Sequence, residues 1–196
     1  MITEKGTMII RLSDSTPLHR DNFIKLVKQG FYDSLLFHRV IKNFMIQAGD
    51  PLSRSARAAE ELGSGGPGYT IPAEFRPGLF HHKAVIAAAR EGDDVNPQKK
   101  SSGSQFYIVE GKKFTEAGLD SVERYRLKGR KIPRDERNIY ATMGGSPHLD
   151  QNYTVFGEVI EGLNIIDSIA ASPTDQADRP VKDIRIIKMQ LIKRKK

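Results

Sequence analysis

The sequence predicts a mainly β fold, a sandwich or a barrel, on three observations. Short apolar segments recur along the chain, several of them alternate polar and apolar residues with the period of two of a half-buried strand, and glycine and proline punctuate the gaps. The segments are residues 7–12, 35–41, 44–48, 84–89, 105–109, 154–159 and 184–191. Between the first two, Thr16 offers an N-cap, Pro17 suits the first helical position, Phe23, Leu26 and Val27 make one apolar face, and Gly30 can terminate the turn, so a helix is expected there. Residues 162–170 read as a second short helix, with Leu163, Ile166 and Ala170 on a face able to plug an open end of a barrel. Residues 52–68 and 91–103 are rich in glycine, serine, proline and charge and are expected to be surface loops. From residue 111 to 145 the pattern turns helical. Leu119 and Val122 make a weak apolar stripe, then Pro133 precedes the first-turn acids Asp135 and Glu136, and Ile139, Tyr140 and Met143 lead to the terminating Gly144 and Gly145.

A chain of 196 residues with 38% hydrophobic content fits one large domain better than two. We read residues 1–192 as that single domain, with the helical insert at about 111–145 inside it and residues 193–196 as a basic tail. No apolar run reaches the roughly 18 to 20 residues of a membrane span, and the first dozen residues lack a signal-peptide pattern. The expectation is a soluble protein, cytoplasmic or, if a signal was removed, periplasmic, and a monomer. Zero cysteines exclude disulfides, thiolate metal sites and cysteine nucleophiles. The net charge of +7 is concentrated: residues 185–196 carry six basic residues and no acid, and residues 112–137 carry nine basic against five acidic, which leaves the body slightly acidic. That distribution argues against a specific nucleic-acid surface.

Several motifs dissolve on inspection. Gly63-Ser64-Gly65-Gly66-Pro67-Gly68 spells a dinucleotide fingerprint but has neither the strand before it nor the helix after it, so it is read as a glycine loop. His81 and His82 are adjacent, so on a strand they face opposite ways, and they are read as surface or half-packed side chains with no metal. No serine elbow, zinc-protease helix or phosphate loop is present. What stands out is Arg39 and Gln47 set among large apolar residues. In the strand at 105–109, Gln105 and Tyr107 share one face, which turns outward if Phe106 and Ile108 face the core.

Three ordered blocks then carry a resemblance. Phe37-His38-Arg39 through Phe44-Met45-Ile46-Gln47-Ala48-Gly49-Asp50, then Ala87-Ala88-Ala89-Arg90 with Ser102-Gly103-Ser104-Gln105-Phe106-Tyr107-Ile108, then Leu149-Asp150 with Val155-Phe156-Gly157-Glu158-Val159-Ile160-Glu161-Gly162, resemble the signature blocks of cyclophilins. The resemblance implies a closed eight-stranded antiparallel β-barrel capped by helices at both ends, and peptidyl-prolyl cis-trans isomerase activity that needs no cofactor. It implies Arg39 as the catalytic arginine, assisted by Gln47, with Phe44, Met45, Ala89, Gln105 and Leu149 as substrate-binding positions. The rim departs from the family: Tyr107 stands where phenylalanine is commonest, Tyr153 where histidine is common, Arg90 for a usual asparagine, and His148 where many eukaryotic members carry tryptophan. The expected partners are proline-containing peptides and unfolded or folding proteins, with weak cyclosporin binding. The alternatives are a proline-segment binding module without turnover, or a scaffold working through the basic insert and tail.

Overall fold

The computed structural model describes residues 1–58 and 60–192; the basic tail at 193–196 lies outside the described residues. The elements in chain order are β1 (Ile2–Thr3), β2 (Gly6–Thr7), β3 (Ile9–Leu12), α1 (Pro17–Lys28), β4 (Arg39–Ile41), β5 (Met45–Ala48), β6 (Thr70–Ile71), β7 (Val85–Ala88), β8 (Ser101–Ser102), β9 (Phe106–Val109), α2 (Glu116–Tyr125), α3 (Arg134–Thr142), β10 (Val155–Glu161), α4 (Leu163–Ala170) and β11 (Ile186–Lys188). Among the described residues no helix is long and apolar enough to cross a membrane.

The fold is mainly β, but the expected closed eight-stranded barrel is not what forms. Among the described residues, eleven short strands divide into a six-stranded antiparallel sheet ordered β3-β10-β7-β9-β5-β4, a three-stranded sheet β11-β1-β2 and the pair β6-β8. The physical reason is that its outermost strands, β3 and β4, meet no further strand in a ladder among the described residues, and within the sheet the register is irregular. β10 shifts between Val155 and Gly157 against β7 and between Val159 and Glu161 against β3, and such a bulge leaves a residue unpaired and bends the strand out of a continuous ladder. The predicted strand at 35–41 pairs as a ladder only over β4, its first half meeting β11 and the residues before it through a bridge of Leu36 with Arg185 and bonds from Phe37 N–H to the Ile184 carbonyl, 2.9 Å, and from Ile186 N–H to the Leu35 carbonyl, 2.8 Å. The sheet is therefore open at β3 and β4.

Alternation on these strands divides the apolar residues between two clusters. Phe106 and Ile108 join Phe23, Leu26 and Val27 of α1, Tyr32, Phe156, and Ile166 and Ile169 of α4 in the main core. Phe23 meets Phe106 edge to face at 5.6 Å. Burying a side chain of this size contributes about 1.5 to 3 kcal/mol. The cap of α1 differs from expectation: Thr16 makes no side-chain cap bond, and the Glu74 carboxylate instead accepts from the Leu18 and His19 backbone N–H groups at 3.2 and 3.0 Å. An acid at a helix N-terminus satisfies otherwise orphan donors and complements the helix dipole.

The insert forms α2 and α3, joined through Arg137, whose guanidinium bonds Glu116, Asp120 and Glu123 at 2.7, 2.9 and 2.8 Å. Leu119 and Tyr140 are fully buried, packed with the buried Leu127 and Ile132 and the half-buried Phe80, whereas Met143 is 44% exposed. The ends of the insert cross so closely that a Cβ on Gly111, at φ +66°, would sit 2.4 Å from the Gly145 Cα. Any side chain there would force the two segments apart.

Candidate active site

The cross-strand register assembles the site. Arg39 on β4 pairs with Gln47 on β5, Gln47 pairs with Tyr107 on β9, and Tyr107 pairs with Ala87 on β7, so Arg39, Gln47 and Tyr107 form one row on one face of the sheet. Met45 lies two residues from Gln47 on that face, Phe44 immediately precedes it, Leu149 comes from a 3-10 turn at Pro147–Leu149, and Tyr153 from the approach to β10. Together Arg39, Phe44, Met45, Gln47, Ala89, Arg90, Tyr107, Leu149 and Tyr153 line a cavity of about 200 Å³.

The two remaining predicted residues sit beside this cavity. Gln105 accepts from Gln47 Nε2 at 3.1 Å and donates to the Gly63 and Gly65 carbonyls at 2.8 Å each. The glycine loop is thus the anchor of Gln105, and its other face donates from Gly63 N–H to the buried Asp50 carboxylate at 2.5 Å. A Cβ on Gly65 would lie 2.1 Å from that carboxylate, which explains the glycine there. His148 stacks obliquely on Phe44, ring centres 5.5 Å apart, and lines a neighbouring cavity.

Polarity is graded across the pocket. Its floor is the second apolar cluster, with Met45, Tyr107 and Leu149 backed by Val85 and Val155. Tyr107 and Gln105 therefore turn away from the main core yet are buried, not solvent-facing. Arg39 stands at the rim, its side chain 45% exposed, and its Nε lies 3.4 Å from Asp178. That carboxylate is held in place where the Val40 N–H donates to the Asp178 carbonyl at 2.8 Å. Arg90 is fixed over the Tyr153 ring, 4.5 Å from its centre, and pairs with Asp93 at 2.7 Å. Burial, with a smaller contribution from the nearby Arg126, holds the His148 imidazole down to about 4.

Sequence reasoning missed a buried relay beneath the pocket. His81 is fully buried, its Nδ1 is 2.9 Å from Asp150 Oδ1, and its Nε2 is 3.0 Å from the Tyr107 hydroxyl. Tyr140 on α3 donates to the other Asp150 oxygen at 2.7 Å. Burial is the main cause that raises both the Tyr107 and the Tyr140 phenol well above the usual tyrosine range, with Asp150 contributing. The signal available was the apolar Leu79-Phe80 before His81 and the Asp150 inside the third block. Nothing local marked Asp178. Among the described residues no group of three or more histidine, aspartate or glutamate side chains is placed to hold a metal ion.

Comparison with known proteins identifies the family. The family model described as cyclophilin type peptidyl-prolyl cis-trans isomerase/CLD matches residues 1–191. A relative from Staphylococcus haemolyticus that bears the name peptidyl-prolyl cis-trans isomerase is 35% identical over 187 residues, covering 95% of this chain and 86% of its own. One of the same name from Staphylococcus saprophyticus is 34% identical over 196 residues, covering 98% and 90%. Among solved structures, a cyclophilin type peptidyl-prolyl cis-trans isomerase of Cryptosporidium parvum superposes with a TM-score of 0.67 at 23% identity, covering 96% of this chain and 92% of that one. The same protein in the presence of the dipeptide Ala-Pro gives 0.66. With a family match along nearly its whole length and relatives above 30% identity aligned over most of theirs, the chain belongs to the cyclophilin-type peptidyl-prolyl cis-trans isomerases.

Proposed function

We propose that the protein isomerises X–Pro bonds by seating the proline ring on Met45, Tyr107 and Leu149 while Arg39 donates a hydrogen bond to the proline nitrogen, and that it thereby assists protein folding. The observation that carries this reading is the convergence of nine predicted residues on one small cavity with an apolar floor and a guanidinium at its rim. Amide rotation costs about 18 to 20 kcal/mol because the C–N bond is partly double. As the bond twists, conjugation is lost and the nitrogen becomes pyramidal and basic, so a donor aimed at it binds the transition state better than the planar ground state. No nucleophile, metal or cofactor takes part.

Arg39 suits that task because its guanidinium stays charged and carries five N–H groups in a rigid plane. Asp178 engages Nε, which leaves the terminal nitrogens for the substrate. Gln47, tied to Gln105 and through it to the glycine loop, is positioned to bond the substrate backbone. The apolar floor excludes water that would stabilise the planar amide, which strengthens the arginine bond. The dipeptide named with the Cryptosporidium parvum protein is of the substrate class expected here. A protease-coupled assay on an Ala-Pro peptide, followed by refolding of a protein limited by proline isomerisation, tests the reading. Turnover in both supports it; binding without turnover leaves only the proline-binding module.

A further inference from the structure

A second cavity, of about 590 Å³, opens beside the proline pocket and shares Arg90, Leu149 and Tyr153 with it. Among the described residues five cations line it, Arg90, Lys99, Arg126, Lys128 and Arg130, against the single carboxylate of Asp93. Asp93 is already committed, to Arg90 at 2.7 Å and to Lys99 at 3.7 Å. Arg126, Lys128 and Arg130 have no carboxylate within 4 Å among the described residues. Arg130 is held by donating to the Asp150 backbone carbonyl at 2.7 Å, a bond that fixes its head without neutralising it. The last three cations all come from the connection between α2 and α3, so the insert builds this wall.

The excess of positive charge is local, since the body outside the insert and the C-terminal segment is slightly acidic. A recess concentrates such a field more than a flat surface does, because its low-dielectric walls confine the field lines. The cleft on the other side of Arg90 is different in kind: it is lined by Gln47, the glycine loop, Glu91 and Lys100, with charges of both signs. We propose that the insert-walled cavity is a subsite for an acidic side chain in the segment flanking the isomerised proline, on one side of that proline only. The proposal rests on the reading of the Arg39 pocket as the proline site. A carboxylate seated there would meet the guanidinium of Arg126 and the ammonium of Lys128, both without an acidic partner of their own.

Four peptides with a common Ala-Pro core test it, carrying Glu-Glu or Gln-Gln two residues before or two residues after the proline. Isomerisation is read by NMR exchange and binding by fluorescence anisotropy, at low and at high salt. On one side only, the Glu-Glu peptide should bind and turn over about tenfold better than its Gln-Gln twin at low salt, and the advantage should vanish at high salt. The doubly substituted Arg126→Glu, Lys128→Glu protein should lose the advantage while handling the Gln-Gln peptides as the parent does. Arg126→Gln with Lys128→Gln gives the same readout if the charge reversal disturbs folding. Equal twins, an equal preference on both sides as net charge alone would produce, or a preference that survives the substitutions overturns the subsite. One-sided preference in binding without isomerisation of any peptide supports the subsite and overturns the isomerase reading; turnover without preference does the reverse.

Discussion

The Nε2 atom of His81 and the hydroxyl of Tyr107 lie 3.0 Å apart, the histidine fully buried and the tyrosine 4% exposed, so the floor of the pocket is fastened from below by a polar contact. Asp150 continues the chain to Tyr140 of the insert. Tyr107→Phe keeps the ring and removes the hydroxyl, leaving a buried ring nitrogen without a partner. The expected outcome in urea denaturation is a loss of about 1 to 3 kcal/mol, with peptide turnover within about threefold of the parent. Replacing residues 112–141 with a glycine-serine linker takes Tyr140 away from Asp150 and uncovers Phe80, so it should cost more stability than the point substitution. A Tyr107→Phe protein as stable as the parent would show that the contact holds nothing in place.

Arg39 contributes little to the core, with nearly half its side chain exposed. Arg39→Ala should therefore leave circular dichroism and melting unchanged while lowering kcat/KM by a factor of about 100, the scale of losing one charged donor from a desolvated transition state. Arg39→Lys should recover little, because an ammonium is a mobile and strongly hydrated point charge. Turnover by Arg39→Ala within twofold of the parent would remove the arginine from the mechanism.

His148 lies against Phe44 at the rim, and an imidazole offers less apolar area and a different donor geometry than an indole. Cyclosporin should bind weakly. His148→Trp should tighten it with little effect on turnover of short peptides, and nanomolar affinity of the unsubstituted protein by titration calorimetry would contradict this.

The His38 ring is 4% exposed, and the Leu36 carbonyl approaches it without meeting hydrogen-bond geometry, so among the described residues neither nitrogen has a hydrogen-bond partner. Burial lowers its pKa from 6.5 to about 4, helped by Arg39 and Arg179 and opposed by Asp50. Above pH 6.5 the ring is neutral in both the folded and the unfolded chain; between 6.5 and 4 only the unfolded chain takes up the proton. Stability should therefore fall as pH drops through that window, by up to about 3 kcal/mol from this group, and no further below it. His148 shifts in the same direction, so the check is the difference between parent and His38→Leu in denaturation curves across the window. A parallel pH dependence of the two proteins would exclude His38 as the source.

Much of the fold was legible because it is written in short-range patterns. Phe23, Leu26 and Val27 at helical spacing mark α1, and Phe106 and Ile108 at strand spacing mark the core face of β9, since burial of one face imposes a period on neighbouring residues. The pocket was legible only through the resemblance: the three ordered blocks named Arg39, Gln47 and Tyr107 together, and the structure sets them on adjacent strands in one row.

The sequence by itself determined the mainly β class, the two helices against the core and the helical insert, and its resemblance to a family named the residues expected at the pocket. Only the tertiary structure decided what ties them together: Glu74 capping α1 from across the fold, Asp178 beside Arg39, the His81–Asp150–Tyr140 relay and the open edges at β3 and β4. Hydrogen bonds and ion pairs between residues tens of positions apart depend on single side chains meeting once, and impose no period that composition or spacing could reveal. Closure of a sheet depends on what pairs beyond its outermost strands, and the segment before β4 meets the β11 region through a single bridge and a few bonds, not a ladder, which no local alternation could reveal.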